Sequence, residues 1–218
     1  MSTEIFKWMP HLAEFSFSNQ FNVLRSVYEN GMTQRRILFP REIGRWSFNF
    51  ESSLFSLVQR AWIVNEIRAF FKARKGGYDN FYLPSWKFEG RLQTVYDSPT
   101  TTFALGTYEN PSKPQDAENA EFSAVTGQQG NLLYICSAFQ LAHVPSTSAK
   151  HEVRRITNIS GNVITIDSPF SQLYPKGAVV QKAYKVFFSN NVLEESNTTP
   201  YVWKTPIEFT EDIGGLYA

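Results

Sequence analysis

The chain has 218 residues, 42% of them hydrophobic and 16% aromatic, with 19 Phe, 10 Tyr and 5 Trp. Its 21 basic and 20 acidic residues leave a net charge of +1, which argues against the concentrated basic field of a nucleic-acid or acidic-membrane binder. The single cysteine, Cys136, excludes an intramolecular disulfide scaffold and any zinc or iron–sulfur site built on several cysteines. The length suits one ordinary domain or two small ones. The aromatic share favours β-structure, where large flat side chains fit a pleated face. No run approaches the ~20 consecutive apolar residues of a membrane span. The start, MSTEIFKWMP, lacks the basic, apolar and small-residue pattern of a signal peptide. The expectation is a protein made in a reducing cytoplasm and not inserted in a membrane.

In chain order, residues 1–19 alternate weakly, and Phe15 and Phe17 flank Ser16. This reads equally as an early strand or as an arm ordered by a partner. Residues 21–28 and 33–39 read as two strands joined at Asn30-Gly31. That dipeptide supplies the positive φ angles of a two-residue type I′ turn, and Pro40 ends the second strand. Arg45 to Phe50 alternates, with Trp46, Phe48 and Phe50 on one face.

The next stretch, residues 57–86, changes period. Ile63, Val64, Ile67, Phe70 and Phe71 stack on one stripe of a helix. Ser52, Ser53 or Ser56 is placed to cap its start. Gly76-Gly77 stops it, since glycine takes the left-handed cap conformation without steric cost. The basic residues just before suit the negative end of the helix dipole. Phe81 and Leu83 then alternate as a strand, and Pro84 ends it.

From Gly90 the character shifts. Residues 92–96 and 102–108 alternate and lead to a polar, proline-punctuated loop at 109–119, expected to be exposed and mobile. Leu132-Leu133-Tyr134-Ile135-Cys136 reads as a buried strand. Residues 151–159 and 163–166 form a hairpin around Ser160-Gly161-Asn162, with Ile156, Ile164 and Ile166 as core. Tyr174-Pro175-Lys176-Gly177 marks a turn before a long β-rich run at 178–188. Residues 200–211 alternate again, with Tyr201, Trp203, Ile207 and Phe209. No internal repeat of solenoid or propeller period is present. The expected fold class is mainly β with one long α-helix (α+β). A β-sandwich or split barrel would comprise residues 1–89 with 182–218, and a small β-barrel would be inserted over 90–181.

Catalytic chemistry finds little support. His11, His143 and His151 show no ligand spacing of the HExxH kind. His143 and His151 are close enough in sequence to meet at a metal, but lone histidines more often pack or face water. Cys136 lies in an apolar strand, the setting of an inert thiol. Gly127-Gln128-Gln129-Gly130 lacks the Lys-Ser/Thr of a phosphate loop. Acidic residues cluster at Glu194-Glu195 and at Glu208, Glu211 and Asp212, but adjacent glutamates in a polar loop read as a solvated turn rather than as a glycosidase pair. The chain is therefore expected not to be an enzyme, and no catalytic residue, cofactor or metal is assigned. The aromatics Trp46, Phe48, Phe50, Phe70, Phe71, Phe81 and Trp86 read first as one shared core, and second as subunit contacts.

The run Phe70-Phe71-Lys72-Ala73-Arg74-Lys75-Gly76-Gly77, followed by Asp79-Asn80-Phe81-Tyr82-Leu83-Pro84-Ser85-Trp86, resembles the distal tail proteins of long-tailed bacteriophages and gene transfer agents. Members carry a helix ending in paired phenylalanines, a basic residue and glycine, then an aromatic strand and a tryptophan. The preceding Asn30-Gly31-Met32-Thr33-Gln34-Arg35-Arg36 is similar to their glycine-containing turn, so the resemblance covers about residues 21–86. Residues 155–167, followed by 174–180, resemble small barrel modules of phage tail and baseplate proteins. Asn190-Asn191 stands where the family commonly has an acidic residue, a departure.

The resemblance implies a structural virion protein, a hexameric ring at the distal end of a phage tail. It would join the tail tube protein to the hub, baseplate and receptor-binding apparatus for host attachment, near the tape measure protein. Arg35, Arg36, Arg68, Arg74 and Lys75 would lie at subunit seams or line a lumen that DNA passes; the plainer reading of these residues is solvated charge. An alternative is a carbohydrate-binding β-module for host-surface attachment, with exposed Tyr134, Tyr174 and Trp203 stacking on sugar rings. A third reading is another tail completion or connector protein.

Overall fold

The computed structural model describes residues 5–6, 16–20, 23–27, 33–37, 43–51, 57–87, 89–96, 99–126, 128–137, 150–194, 196–199 and 202–212. The elements begin with β1 (Ser16–Gln20), β2 (Val23–Val27), β3 (Thr33–Ile37), β4 (Ile43–Glu51) and α1 (Leu57–Ala73). There follow β5 (Phe81–Pro84), β6 (Gly90–Leu92), β7 (Thr102–Gly106), β8 (Leu132–Cys136), β9 (His151–Ser160) and β10 (Val163–Ile166). The last are β11 (Val179–Phe188), β12 (Ser196–Thr199) and β13 (Val202–Glu211). The protein is mainly β, its strand pairings are almost all antiparallel, and α1 is the one helix among the described residues.

The chain forms two compact units. One holds Met1–Met9, Phe81–Lys185 and Gly214–Ala218; the other holds Pro10–Asn80 and Val186–Ile213. The expected boundaries at 90 and 181 thus lie at 81 and 185. The expected single aromatic core is divided accordingly. Phe81 and Trp86 belong to the first unit, where both rings lie 6.3 Å from that of Phe6. Trp46, Phe48, Phe70 and Phe71 belong to the second.

In the second unit β4 lies between β1 and β13. Its alternation works as the sequence implies. Trp46 pairs across from Phe209 and Phe48 from Ile207, and all four are buried, while Glu208, between Ile207 and Phe209, is exposed. The Phe48 and Phe209 rings are 5.7 Å apart, a separation at which tilted aromatic pairs attract. The side chain of Phe50 lies outside the described ones. So do the serines offered as caps for α1. On α1, Val64 and Ile67 are buried and Phe70 and Phe71 half-buried, the stripe expected of a 3.6-residue period. Phe71 meets Phe188 edge-on at 4.9 Å.

Residues 16–20 are a strand, the first of the two readings left open for them. The expected hairpin of β2 and β3 is present, with Val27 opposite Thr33. Five residues, 28–32, lie between that pair. The expected Asn30-Gly31 turn falls among these five. The turn itself is outside the described residues.

In the first unit the pairings form a closed circuit. β6 pairs β7, β7 pairs β10, β10 pairs β9, β9 pairs β8, β8 pairs β11, and β11 pairs β6. A hydrophobic cluster including Leu105, Leu133, Ile135, Ile156, Ile164 and Phe170 draws on these strands. The β9–β10 turn is Gly161-Asn162, with Gly161 at φ +58°, as its residue types imply. β8 is buried on both faces. Leu133 and Ile135 join this cluster, whereas Tyr134 and Cys136 join a second one with Ile5, Val153 and Ala183. That explains a continuous apolar run where a one-sided strand would alternate.

The loop at 109–119 is exposed over most of its length but fastened, contrary to expectation. Ala117 is fully buried and its N–H donates to Gly161 O at 3.0 Å; Gln115 N–H donates to Leu105 O at 2.9 Å. Buried backbone groups need such partners, and here they tie the loop to the strands.

Candidate functional site

The basic end of α1 is built by a specific chain reversal. Gly76 N–H donates to Phe71 O at 3.2 Å and Lys75 N–H to Lys72 O at 3.0 Å. These are the paired bonds of a Schellman cap. The left-handed residue at the cap is Lys75 itself, at φ 52°, followed by Gly76 at φ +63°. The helix therefore ends one residue earlier than the glycine pair suggests. Gly76 and Gly77 serve close packing as well. A Cβ on Gly76 would come 3.1 Å from the Asn191 Cα. Gly77 N–H donates to Asn191 Oδ1 at 3.3 Å, and Asn80 Nδ2 donates to Asp212 Oδ2 at 2.9 Å. The helix end, the loop after β11 and the end of β13 thus form one corner of the second unit.

Arg74 and Lys75 sit on this corner. The Arg74 guanidinium is 5.7 Å from the Phe70 ring centre, and the Lys75 ammonium is 5.2 Å from that of Tyr78. Such cation–π contacts at exposed sites contribute about 0.5–1 kcal/mol. Tyr78 is 79% exposed, so the corner presents a ring and cations to solvent. Arg68 is half-buried two turns back on the same helix. Arg35 and Arg36 lie on β3, opposite Arg25 and Leu24; their side chains are outside the described ones. The structure thus gathers Arg74 and Lys75 and leaves Arg35 and Arg36 on a separate two-stranded sheet.

The expected sugar-stacking tyrosines are not at the surface. Tyr134 is 2% exposed and Tyr174 0%. Tyr134 packs in the second cluster of the first unit, and its hydroxyl is pushed well above the usual range by burial, then by Cys136. Tyr174 packs 5.2 Å from Phe170, and its hydroxyl donates to Glu152 Oε1 at 3.4 Å. Burial, then the Glu152 carboxylate, raises its pKa. Neither offers a face to a ligand. Residues 132–136 already read as a buried strand in the sequence, so the sugar-stacking reading of Tyr134 ran against its own neighbours. The side chain of Trp203 lies outside the described ones.

Two charged clusters in the first unit were missed. In one, the Lys182 ammonium lies 2.5 Å from Glu121 Oε2 and 3.9 Å from Glu89 Oε1. Glu89 also accepts from Ser85 Oγ at 2.8 Å and from Lys182 N–H at 3.3 Å. Burial pushes the Glu89 carboxyl up to about 7, against the pull of Ser85 and Lys182. Glu121 is held below its usual range by its bond to Lys182 and by that charge. In the other, Glu152 is paired with Arg154 and accepts from Ser171 Oγ at 2.8 Å. The available signal was Gln181-Lys182 within an otherwise apolar run, since buried charge needs a partner.

No family model matches the chain, and no curated protein matches it either. Among the described residues no three His, Cys, Asp or Glu side chains are grouped to hold a metal ion. His143 is outside them; His151 stacks 6.4 Å from Tyr134. Cys136 is fully buried. No described helix is long and apolar enough to cross a membrane. An open groove of about 480 Å³ on the second unit, between β1 and the end of β11, is lined by Ser16, Ser18, Arg45, Glu208 and Thr210 among others.

Proposed function

We propose that the protein is a structural component of a phage tail, a ring at its distal end that joins the tail tube to the hub and receptor-binding apparatus. The observation that carries this reading is the corner at the end of α1. Four of the residues that bear the family resemblance have a packing duty there: Phe70 and Phe71 against Phe188, and Gly76 and Gly77 against the end of β11 and the chain after it. The motif is thus a device for folding and presenting a surface, as a structural role requires. In this reading the six-stranded circuit is the small β-barrel, and the second unit is the sandwich or split barrel of the ring. Closed rotational symmetry would fix the copy number and leave a channel, with Arg35, Arg36, Arg68, Arg74 and Lys75 at seams or lumen. The protein acts by geometry rather than by catalysis. The carbohydrate-binding alternative is not adopted, since Tyr134 and Tyr174 are buried.

Native mass spectrometry with electron microscopy of the same sample tests the reading. Six copies of the 25.0 kDa chain make 150 kDa, and a closed ring of that mass with a central hole is the expected result. Should the isolated chain stay monomeric, the same imaging with purified tail-tube ends added is decisive: no ring on those ends rejects the proposal.

A further inference from the structure

Lys182 is a buried cation with two carboxylates and one ammonium to share. Its side chain is 5% exposed; Glu89, at 7%, is buried beside it, whereas Glu121 reaches in from an exposed turn at 75%. The turn bearing Glu121 is under strain. Glu121 sits at φ 60°, a left-handed conformation that a non-glycine residue adopts only against steric crowding of its Cβ. A Cβ on Gly130 would come 2.3 Å from Glu121 O, so the turn is closed tightly on itself. Phe122, buried at 4%, anchors it from one side. The Lys182–Glu121 contact is the charged tie from the turn to β11.

We propose that Glu89 and Glu121 compete for the Lys182 ammonium, which makes the turn around Glu121 a pH-operated latch on β11. When Glu89 is protonated, Glu121 is the only anion of the cluster and holds the full attraction of the ammonium. When Glu89 is ionised, the buried ammonium is divided between two carboxylates and the grip on Glu121 weakens. Ser85 and the Lys182 backbone N–H face Glu89, Lys182 faces both carboxylates, and Lys87 acts on Glu121 from the segment after β5. The position of Glu89, held near neutrality by burial, places the changeover in a physiological range. The turn is tied more firmly in mild acid than in mild base. This inference is independent of the tail reading.

Amide hydrogen exchange of the intact protein tests it, from about pH 5.5 to about 8.5 and corrected for intrinsic rates. The amides to follow are Phe122, Ser123 and Asn131, which bond within the turn. Their protection is expected to fall about threefold or more as pH rises, with a midpoint near that of Glu89. Glu89→Gln is expected to flatten the profile at the protected level. A flat wild-type profile, or an unchanged step in Glu89→Gln, overturns the proposal. A side-chain carboxyl NMR titration of the wild type needs no variant. Glu121 is expected to report an inflection at the midpoint of Glu89, and its absence also overturns the latch.

Discussion

Gly77 and Phe188 meet backbone to backbone: a Cβ on Gly77 would stand 2.5 Å from the Phe188 carbonyl oxygen. No flexible side chain end can yield there, because the obstacle is main chain. Gly77→Ala is therefore expected to destabilise the protein by roughly 2–4 kcal/mol, as overpacking with backbone displacement does. Gly161→Ala is the control. That residue is left-handed at φ +58° with nothing within 4 Å of its Cβ direction, so its cost is conformational only, about 1 kcal/mol. Urea denaturation of both variants checks the ranking, and equal losses would show that the contact is not what matters.

At the cap itself, Lys75→Gly removes a left-handed side chain. It is expected to stabilise by up to about 1 kcal/mol, less what the Tyr78 contact supplied. Thermal unfolding measures it; a lowered Tm would show that the cation–π contact outweighs the strain.

Stability should depend on pH through Glu89. Its pKa is raised in the folded state to about 7 from 4.5, so the folded protein binds the proton more tightly than the unfolded chain does. That contribution is fully present below about pH 4.5 and is lost as pH rises toward 7, a loss on the order of 3 kcal/mol. Glu121, with its lowered value, has the opposite sign: its contribution is present above 4.5 and lost as pH falls through its folded value. Chemical denaturation between about pH 5 and 8 should show stability declining with pH, and Glu89→Gln should remove most of that decline.

Tyr174 and Phe170 are expected to matter for folding, not for ligand binding. Phe170 is fully buried and touches Tyr96, Phe103 and Tyr174. Phe170→Ala should cost about 3–5 kcal/mol. Tyr174→Phe keeps the ring and loses one bond to Glu152, so about 1 kcal/mol is expected. Calorimetry distinguishes the two, and a glycan array should respond to neither.

Charge reversal of Arg35 and Arg36 is expected to weaken ring assembly or DNA passage while leaving circular dichroism unchanged. Intact assembly and intact DNA delivery in that variant would remove these residues from the proposed seam or lumen.

Faces were legible in the sequence, and partners were not. The alternation of Trp46 and Phe48, the stripe of Val64 and Ile67, and the hairpin at Gly161-Asn162 are set by local periodicity and turn chemistry, and the structure follows them. The double burial of β8 was visible as an unbroken apolar run. What the chain hid was long-range. Phe81 follows α1 by a few residues yet packs with Phe6, because strand pairing and not proximity in sequence decides its core. The burial of Tyr174 depends on strands distant in sequence, whereas that of Tyr134 was legible in the apolar run at 132–136. Glu89, Glu121 and Lys182 come from three separate segments, and no spacing rule links them. Lys75 took the left-handed cap position although two glycines stood next in line, so residue preference alone misplaces the stop by one.

β11 contributes to both units. Its first residues pair with β6 and β8 to close the circuit, and its last three pair with β13. Yet it is among the last strands to be synthesised. A growing chain therefore carries open strand edges from β6 and β8 until residue 183 has left the ribosome. Release before that point would expose those edges to other nascent chains. Yield in expression should thus be governed less by the stability of the finished protein than by how long the unclosed intermediate waits.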